Sequence, residues 1–193
     1  TEDRIETIEI GFNRVGMVDF HITHLQNGAE AHGRFAINAF KAKEFVPRKE
    51  LLPLPHAPRG FAGMLLLREK TIPVISLIDC LGFTAGGEPE GSIIICEFAG
   101  RTVGMLVHGV NRVNYITWQA IMPPPETGSR MPYTVGTILM GGEVVFVLDF
   151  ERIVQEVLAI YGEVDLGTVE SRRTGSRLLL VEDSAIIRRQ TSQ

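Results

Sequence analysis

Residues 61–77 have the sequence FAGMLLLREKTIPVISL, in which two apolar runs flank a short charged segment. Phe61 to Arg68 and Thr71 to Ile75 are typical of two β-strands joined by a tight turn. Pro73 lies inside the second run, where proline is tolerated only at a sheet edge or at a bulge. The stretch therefore predicts a β-hairpin whose tip carries the charged residues 68–70.

Turn residues recur on both sides of this hairpin and divide the chain into short strands. Val18 to Thr23 alternates apolar and polar side chains, which predicts a half-buried strand. The sequence also predicts hairpins around Ala99-Gly100 and around Gly141-Gly142. Arg34 to Val46 has strand character but changes phase, which predicts one strand with a bulge near Ala39. About eight to ten strands result, which favours antiparallel barrels over a parallel βαβ sheet.

Two helices are predicted within this β-rich region. Ser76 to Gly82 is typical of a short helix with Ser76 as its N-cap. Asp149 precedes apolar residues at helical spacing, and Gly162 follows the last of them, which predicts a longer helix. We expect the apolar face of that helix to cover a barrel mouth or the join between two barrels.

The composition of the 193-residue chain argues against binding to nucleic acid or insertion into a bilayer. Lys and Arg number 19 against 23 Asp and Glu, a formal net charge of -4, so no basic field attracts a phosphate backbone. The longest aliphatic runs, 64–67 and 93–96, are too short to span a membrane. The two cysteines, Cys80 and Cys96, do not indicate a disulfide framework. We therefore expect a cytoplasmic protein.

Motifs of enzyme active sites are absent from the sequence. It has no phosphate-binding loop, dinucleotide-binding glycine motif, nucleophile elbow or Cys-x-x-Cys pair. Cys96 and His108 fall on strands that are predicted to pair, but Cys96 follows three isoleucines. Burial there raises the pKa of a thiol, which favours a packed side chain over a reactive one. We predict neither enzymatic activity nor a cofactor for this fragment.

The segment 63–77 resembles the signature of the CheW-like coupling domains of bacterial chemotaxis. Lys43 to Val46 and Gly100 to Val113 are similar to two further segments of that family, and Leu148-Asp149 before a helix resembles its closing segment. Three residues depart from the usual Asn, Gly and Asp of the signature, namely Leu66, Glu69 and Ser76, and His108 stands where Asp is common. The residues of the signature that match are Gly63, Leu67, Arg68, Ile72, Pro73, Val74, Ile75 and Leu77.

This resemblance implies a mainly β fold of two SH3-like five-stranded β-barrels around a shared core, with a C-terminal helix and no active site. It implies an adaptor that connects the cytoplasmic tip of a chemoreceptor to the regulatory domain of the CheA histidine kinase in membrane receptor arrays. Partner contacts are expected at Arg68 and Glu44 on the first barrel and at Val107 and His108 on the second. An apolar groove between the barrels is expected to accept the receptor helices.

The composition changes after the predicted long helix. Residues 163–176 are rich in Gly, Thr, Ser and charged side chains and have no apolar period, which predicts a linker. Residues 177–181 form an apolar run followed by Glu182 and Asp183, typical of a buried strand with acidic residues at its carboxyl end. We therefore expect a first domain at 1–162, a linker at 163–176 and a second unit at 177–193.

The second unit resembles the first strand and acidic pair of response-regulator receiver domains. The resemblance implies that Glu182 and Asp183 help to bind Mg²⁺ in an intact receiver, beside a phosphorylatable Asp on a later strand. Neither that strand nor the phosphorylation site is in this sequence, so we expect a receiver truncated near its beginning. A CheW-like domain, a linker and a receiver, in that order, are the arrangement of CheV-type coupling proteins, whose receiver tunes the coupling when the kinase phosphorylates it.

Two other hypotheses remain open at the level of sequence. The first is the regulatory C-terminal portion of a hybrid chemotaxis histidine kinase, in which the same two modules also occur. An ATP-binding domain preceding Thr1 would identify that case. The second is a small-molecule-binding β-barrel without a role in signalling, which a ligand seated between the barrels would indicate.

Overall fold

The computed structural model of the chain describes residues 14–86, 91–124 and 131–159. The helices are α1 (Leu77–Cys80) and α2 (Phe150–Ala159), and 3-10 turns occupy Ala39–Lys41 and Trp118–Ala120. The strands are β1 (Arg14–Gln26), β2 (Ala29–Asn38), β3 (Ala42–Pro47), β4 (Phe61–Leu67), β5 (Lys70–Ser76), β6 (Thr84–Ala85), β7 (Ser92–Phe98), β8 (Arg101–Val107), β9 (Gly109–Thr117), β10 (Thr134–Met140) and β11 (Glu143–Leu148).

Several predicted features fall on residues that lie outside the described ranges. They are the linker at 163–176, the strand at 177–181 and the acidic pair Glu182 and Asp183. Within the described ranges, neither helix has the length and apolar character that a membrane crossing requires.

The strands form two sheets, which confirms the predicted mainly β architecture. One sheet has five strands in the order β3-β7-β8-β5-β4. The other has the order β10-β11-β2-β1, and both β9 and the short β6 pair with β1. Five strands were expected in each barrel, and β6 is the sixth strand of this sheet. It forms only two residue pairs with β1. After the five-stranded sheet is complete, β9 returns the chain to the six-stranded one.

Each sheet curves around an apolar interior of its own. In the five-stranded sheet, Val46 of the edge strand β3 packs into the same cluster as Leu65 of the opposite edge strand β4. In the six-stranded sheet, Ile116 of β9 and Ile138 of β10 likewise belong to one cluster. Because side chains from the two edges of each sheet meet in one interior, each sheet forms a barrel. We refer to them as the five-stranded barrel and the six-stranded barrel.

A third apolar cluster lies between the two barrels and is their shared core. On β7, Ile93 and Ile95 face the interior of the five-stranded barrel, whereas Ile94 and Cys96 face the shared core. Both faces of this strand are buried, which explains why its sequence is an unbroken apolar run. Helix α2 covers the join, as predicted, with a buried face formed by Phe150, Ile153, Val154 and Val157.

The predicted N-caps of both helices and the two hairpin turns are confirmed, whereas Gly162, predicted to follow the long helix, lies outside the described residues. Ser76 Oγ accepts a hydrogen bond from the backbone N–H of Asp79 at 3.4 Å. Asp149 Oδ1 accepts one from the backbone N–H of Arg152 at 3.0 Å. The turns at 99–100 and 141–142 connect β7 to β8 and β10 to β11, respectively.

The prediction of a single bulged strand from Arg34 to Val46 is wrong. The 3-10 turn Ala39–Lys41 divides this segment into β2 and β3, which belong to different sheets. Phe35 on β2 faces the shared core, whereas Val46 on β3 faces the interior of the five-stranded barrel. The change of phase therefore marks the crossing from one barrel to the other.

Candidate partner-binding surface

Arg68 and Glu44, two of the predicted contact residues, form an ion pair in the structure. Arg68 Nη2 donates to Glu44 Oε2 at 2.8 Å, and the two side chains are 79% and 29% exposed. Glu44 lies on β3 and Arg68 follows β4, so the pair joins the two edge strands of the five-stranded barrel. A guanidinium has five N–H donors, and its exposure leaves those not used by Glu44 accessible to a binding partner.

The turn between β4 and β5 determines where Arg68 is presented. Leu67 pairs with Lys70, so the turn consists of Arg68 and Glu69 alone. Their φ angles are 46° and 67°, which is the left-handed conformation that a two-residue hairpin turn of this kind requires. The tight turn therefore holds Arg68 at the tip of a rigid hairpin.

Large apolar side chains are exposed on the same barrel. Phe45 is 45% exposed, Leu52 58% and Leu66 60%. Leu52 is held beside β4 by backbone hydrogen bonds of 2.8 and 2.9 Å to Met64. Exposed apolar side chains combined with an arginine are typical of protein-binding surfaces. We use the name hairpin face for five residues of the two edge strands, the hairpin tip and the segment bonded to β4: Glu44, Phe45, Leu52, Leu66 and Arg68.

Val107 and His108 do not form a matching site on the second barrel. Val107 ends β8 of the five-stranded barrel and packs in the shared core, where it is only 2% exposed. Its side chain is therefore not available to a partner, which is at odds with the prediction that it makes contacts. Sequence alternation identified Val107 as a strand residue but could not tell which face of the strand is covered.

His108 lies between β8 and β9, where the chain crosses from one barrel to the other. Its backbone N–H donates to the carbonyl oxygen of His21 at 3.2 Å. Burial, and after it the neighbouring His21 and Arg48, lowers the pKa of the His108 imidazole, whereas Glu30 acts in the opposite direction. His108 is thus a half-buried and mainly uncharged side chain at neutral pH.

A second set of exposed apolar side chains lies on the six-stranded barrel. Leu139 and Val144 are direct partners across the β10–β11 hairpin and are 61% and 50% exposed. Trp118, in the 3-10 turn that follows β9, is 54% exposed. The sequence contains a signal for this exposed apolar set. In strands 134–140 and 143–148 apolar residues occupy both odd and even positions, yet only one face of each strand can point into the barrel. The other members of this set are Val113, Tyr115 and Val135.

Cys96, considered above as a reactive thiol, is a packed side chain that is 0% exposed. Burial raises the pKa of the Cys96 thiol to about 12, which fits the predicted packed side chain. No three His, Cys, Asp or Glu side chains within 14–86, 91–124 and 131–159 are arranged to hold a metal ion. The side chains that distinguish this surface are apolar and charged groups, which suit protein binding.

The structure thus consists of two barrels around a shared core, with charged and apolar side chains exposed on the five-stranded barrel. Residues 28–158 match the family model of the CheW-like domain. The chain therefore belongs to the family of CheW-like domains, as its signature predicted.

Relatives and a solved structure agree with this assignment. The chain is 26% identical over 187 residues to the chemotaxis protein CheV3 of Helicobacter pylori, which covers 94% of this chain and 60% of that protein. It is 26% identical over 141 residues to the chemotaxis protein CheW of Treponema pallidum, covering 69% and 81% of the two chains. The crystal structure of the scaffolding protein TtCheW from Thermoanaerobacter tengcongensis has the same fold, with a TM-score of 0.58 at 22% identity over 73% of this chain and 86% of that one. The chain thus spans 60% of the length of CheV3.

Proposed function

We propose that this chain is a chemotaxis adaptor that couples chemoreceptors to a CheA-like histidine kinase. The single observation that carries the proposal is the exposed hairpin face on a domain of the CheW-like family. The similarity to CheV3 extends beyond the CheW-like segment to 94% of the chain. That extent, against a relative named as a CheV, supports the CheV-type arrangement.

An adaptor has to hold its two partners at the same time, so it needs two separate surfaces. The hairpin face combines an accessible guanidinium with apolar area, as does the centre of many protein interfaces. We assign this face to the regulatory domain of the kinase. Arg68 is the anchor, and Glu44 holds its guanidinium in position.

We propose that the receptor tip docks where the chain crosses from one barrel to the other, the place at which the sequence predicts an apolar groove. His108 lies at the crossing between them and is half-buried and mainly uncharged at neutral pH. A helical tip binds in such a groove through apolar side chains on one of its faces. We propose that His108 lines this contact, with the Val107 side chain supporting it from the shared core.

The proposed adaptor performs no chemistry and changes only the proximity of its partners. Holding two proteins together raises their effective concentration, and no additional reaction is required. We propose that it works in the cytoplasm, where its receptor and kinase contacts bring it to the membrane receptor arrays.

We also propose that residues 163–176 are a linker and that residues 177–193 begin a receiver whose phosphorylation tunes the coupling. In an intact receiver, Glu182 and Asp183 are expected to contribute ligands to Mg²⁺. The 193-residue chain holds two carboxylates of that set, so we expect only weak Mg²⁺ binding. Tight, stoichiometric binding of Mg²⁺ in a calorimetric titration of this chain would contradict the assignment.

Binding to each partner separately tests the proposed function. The 193-residue chain is immobilised and exposed to the kinase regulatory domain or to a cytoplasmic receptor fragment, and association is followed optically. We expect both to bind. If neither binds, the adaptor function is wrong; if only the kinase domain binds, the assignment of the inter-barrel groove is wrong.

A further inference from the structure

Four hairpins within the described ranges have two-residue turns in which both residues have positive φ. They are the turns at 27–28, 68–69, 99–100 and 141–142. In three of them the second position is glycine, the residue that adopts this conformation without steric cost. In the fourth turn the second position is Glu69, with a φ of 67°.

The strain at Glu69 has no compensating contact within the described part of the chain. Its side chain is exposed, and no described residue forms an ion pair or a hydrogen bond with its carboxylate. The neighbouring guanidinium of Arg68 is already engaged by Glu44 at 2.8 Å. A strained residue whose side chain does nothing for the fold points to a role outside the fold.

We infer that Glu69 is a contact residue for the kinase regulatory domain, where its carboxylate pairs with a Lys or Arg of the partner. The inference rests on the proposed function and names the chemistry of the partner at the hairpin face. Glu44 and Arg68 neutralise each other, and among the described residues neither the Glu69 carboxylate nor the adjacent exposed Lys70 has an ion-pair partner. The Glu69 carboxylate is therefore available to a basic side chain of the partner. The exposed Leu66 supplies apolar area on the same hairpin.

Three substitutions distinguish the effect of the backbone strain at Glu69 from the effect of its negative charge. Glu69→Gln removes the charge and keeps a side chain in the left-handed turn, Glu69→Lys reverses the charge, and Glu69→Gly removes both charge and strain. Glu30→Gln is the matched control for Glu69→Gln, because it makes the same change of charge at an exposed position of β2 in the other barrel. Melting temperature and the association rate with the kinase regulatory domain are measured for each variant at low and at high salt.

We expect Glu69→Gly to raise the melting temperature by about 2–4 °C, because the strained turn is relaxed. At low salt Glu69→Gln is expected to weaken binding by about twofold to fivefold and Glu69→Lys by more, mainly through slower association. These losses shrink at high salt because the charges are screened. Glu30→Gln is expected to leave binding unchanged.

Each other outcome has a defined meaning. If the unchanged chain binds but Glu69→Gly binds as tightly, Glu69 is not a contact and the inference is overturned while the adaptor function stands. If Glu69→Gly fails to raise the melting temperature, the premise of strain is wrong and the inference falls with it. If the unchanged chain does not bind the kinase domain, the proposed function and this inference are both wrong.

Discussion

The guanidinium of Arg34 lies 2.5 Å from the carboxylate of Asp19, whose side chain is completely buried in the six-stranded barrel. Asp19 also accepts a hydrogen bond from Asn111 Nδ2 at 3.1 Å, and Arg34 donates to Glu143 Oε2 at 2.6 Å. The hydrogen bond with Asp19, and after it the one with Glu143, raises the pKa of Arg34. This network connects β1, β2, β9 and β11 through their side chains.

Arg34→Met is expected to lower the free energy of unfolding by about 3–5 kcal/mol, because the Asp19 carboxylate is then buried without its ionic partner. Arg14→Met changes the exposed side chain of another arginine in the same sheet, away from Asp19, and is expected to cost less than about 0.5 kcal/mol. Denaturant unfolding of both variants measures the difference. Equal stability of the two variants would show that the network contributes nothing.

Arg68→Glu is expected to weaken binding of the kinase regulatory domain by about tenfold or more, since it reverses the charge of the proposed anchor at the hairpin tip. Its effect on the free energy of unfolding should stay within about 0.5 kcal/mol, because the ion pair with Glu44 is exposed. Calorimetry and denaturant unfolding provide the two measurements. Unaltered affinity removes Arg68 from the contact surface.

The double variant Arg68→Glu with Glu44→Arg separates contact from positioning. It restores the opposite charges of the pair but exchanges their places. If Arg68 itself contacts the kinase domain, the double variant binds as poorly as the single one. Recovery of affinity would show instead that only the ion pair between the two strands is required.

Gly104→Ala is expected to destabilise the five-stranded barrel by about 1–3 kcal/mol through overpacking. A Cβ at this position comes within 2.8 Å of Ile93 Cγ2 and 3.1 Å of Val74 Cγ2, two side chains in the barrel interior. Thr102→Ala, at an exposed position of the same strand, is the control and should change stability little. A melting temperature for Gly104→Ala equal to that of the unchanged chain would contradict the described packing.

Both cysteines are expected to resist thiol reagents in the folded protein at pH 8. Burial raises the pKa of Cys80 and of Cys96 to about 12, so each thiol stays protonated well above its usual value, and the thiolate is the reactive form. Denaturant should release the two thiols of the chain for reaction. Rapid labelling of the folded protein with a chromogenic disulfide reagent would show that these sites are open to solvent.

Local chemistry made much of this fold predictable from the sequence. Gly141-Gly142 and Ala99-Gly100 mark hairpin turns because the backbone there needs positive φ. Asp149 marks a helix start because its carboxylate can accept a backbone N–H. The exposed tip at Arg68 followed from the same logic, because two short apolar strands with a charged turn between them are typical of a hairpin.

Features that depend on the partner of a strand were not predictable in this way. Between Phe35 and Val46 the apolar residues switch from odd to even positions. The sequence shows the same switch whether one strand bulges or the chain crosses into another sheet. Val107 lies on a strand with both faces covered, and sequence alternation cannot show what covers them. The pairing of Glu44 with Arg68 across the closed barrel depends on tertiary structure in the same manner.

The most direct test of the adaptor function is whether one molecule of this chain holds both partners at once. A receptor cytoplasmic fragment is immobilised, the chain is added, and the kinase regulatory domain is then passed over the surface while bound mass is recorded. We predict that the kinase domain is retained only when the chain is present, and that Arg68→Glu abolishes this retention while leaving receptor binding intact. Competition between the two partners for the chain, so that one displaces the other, would contradict the account.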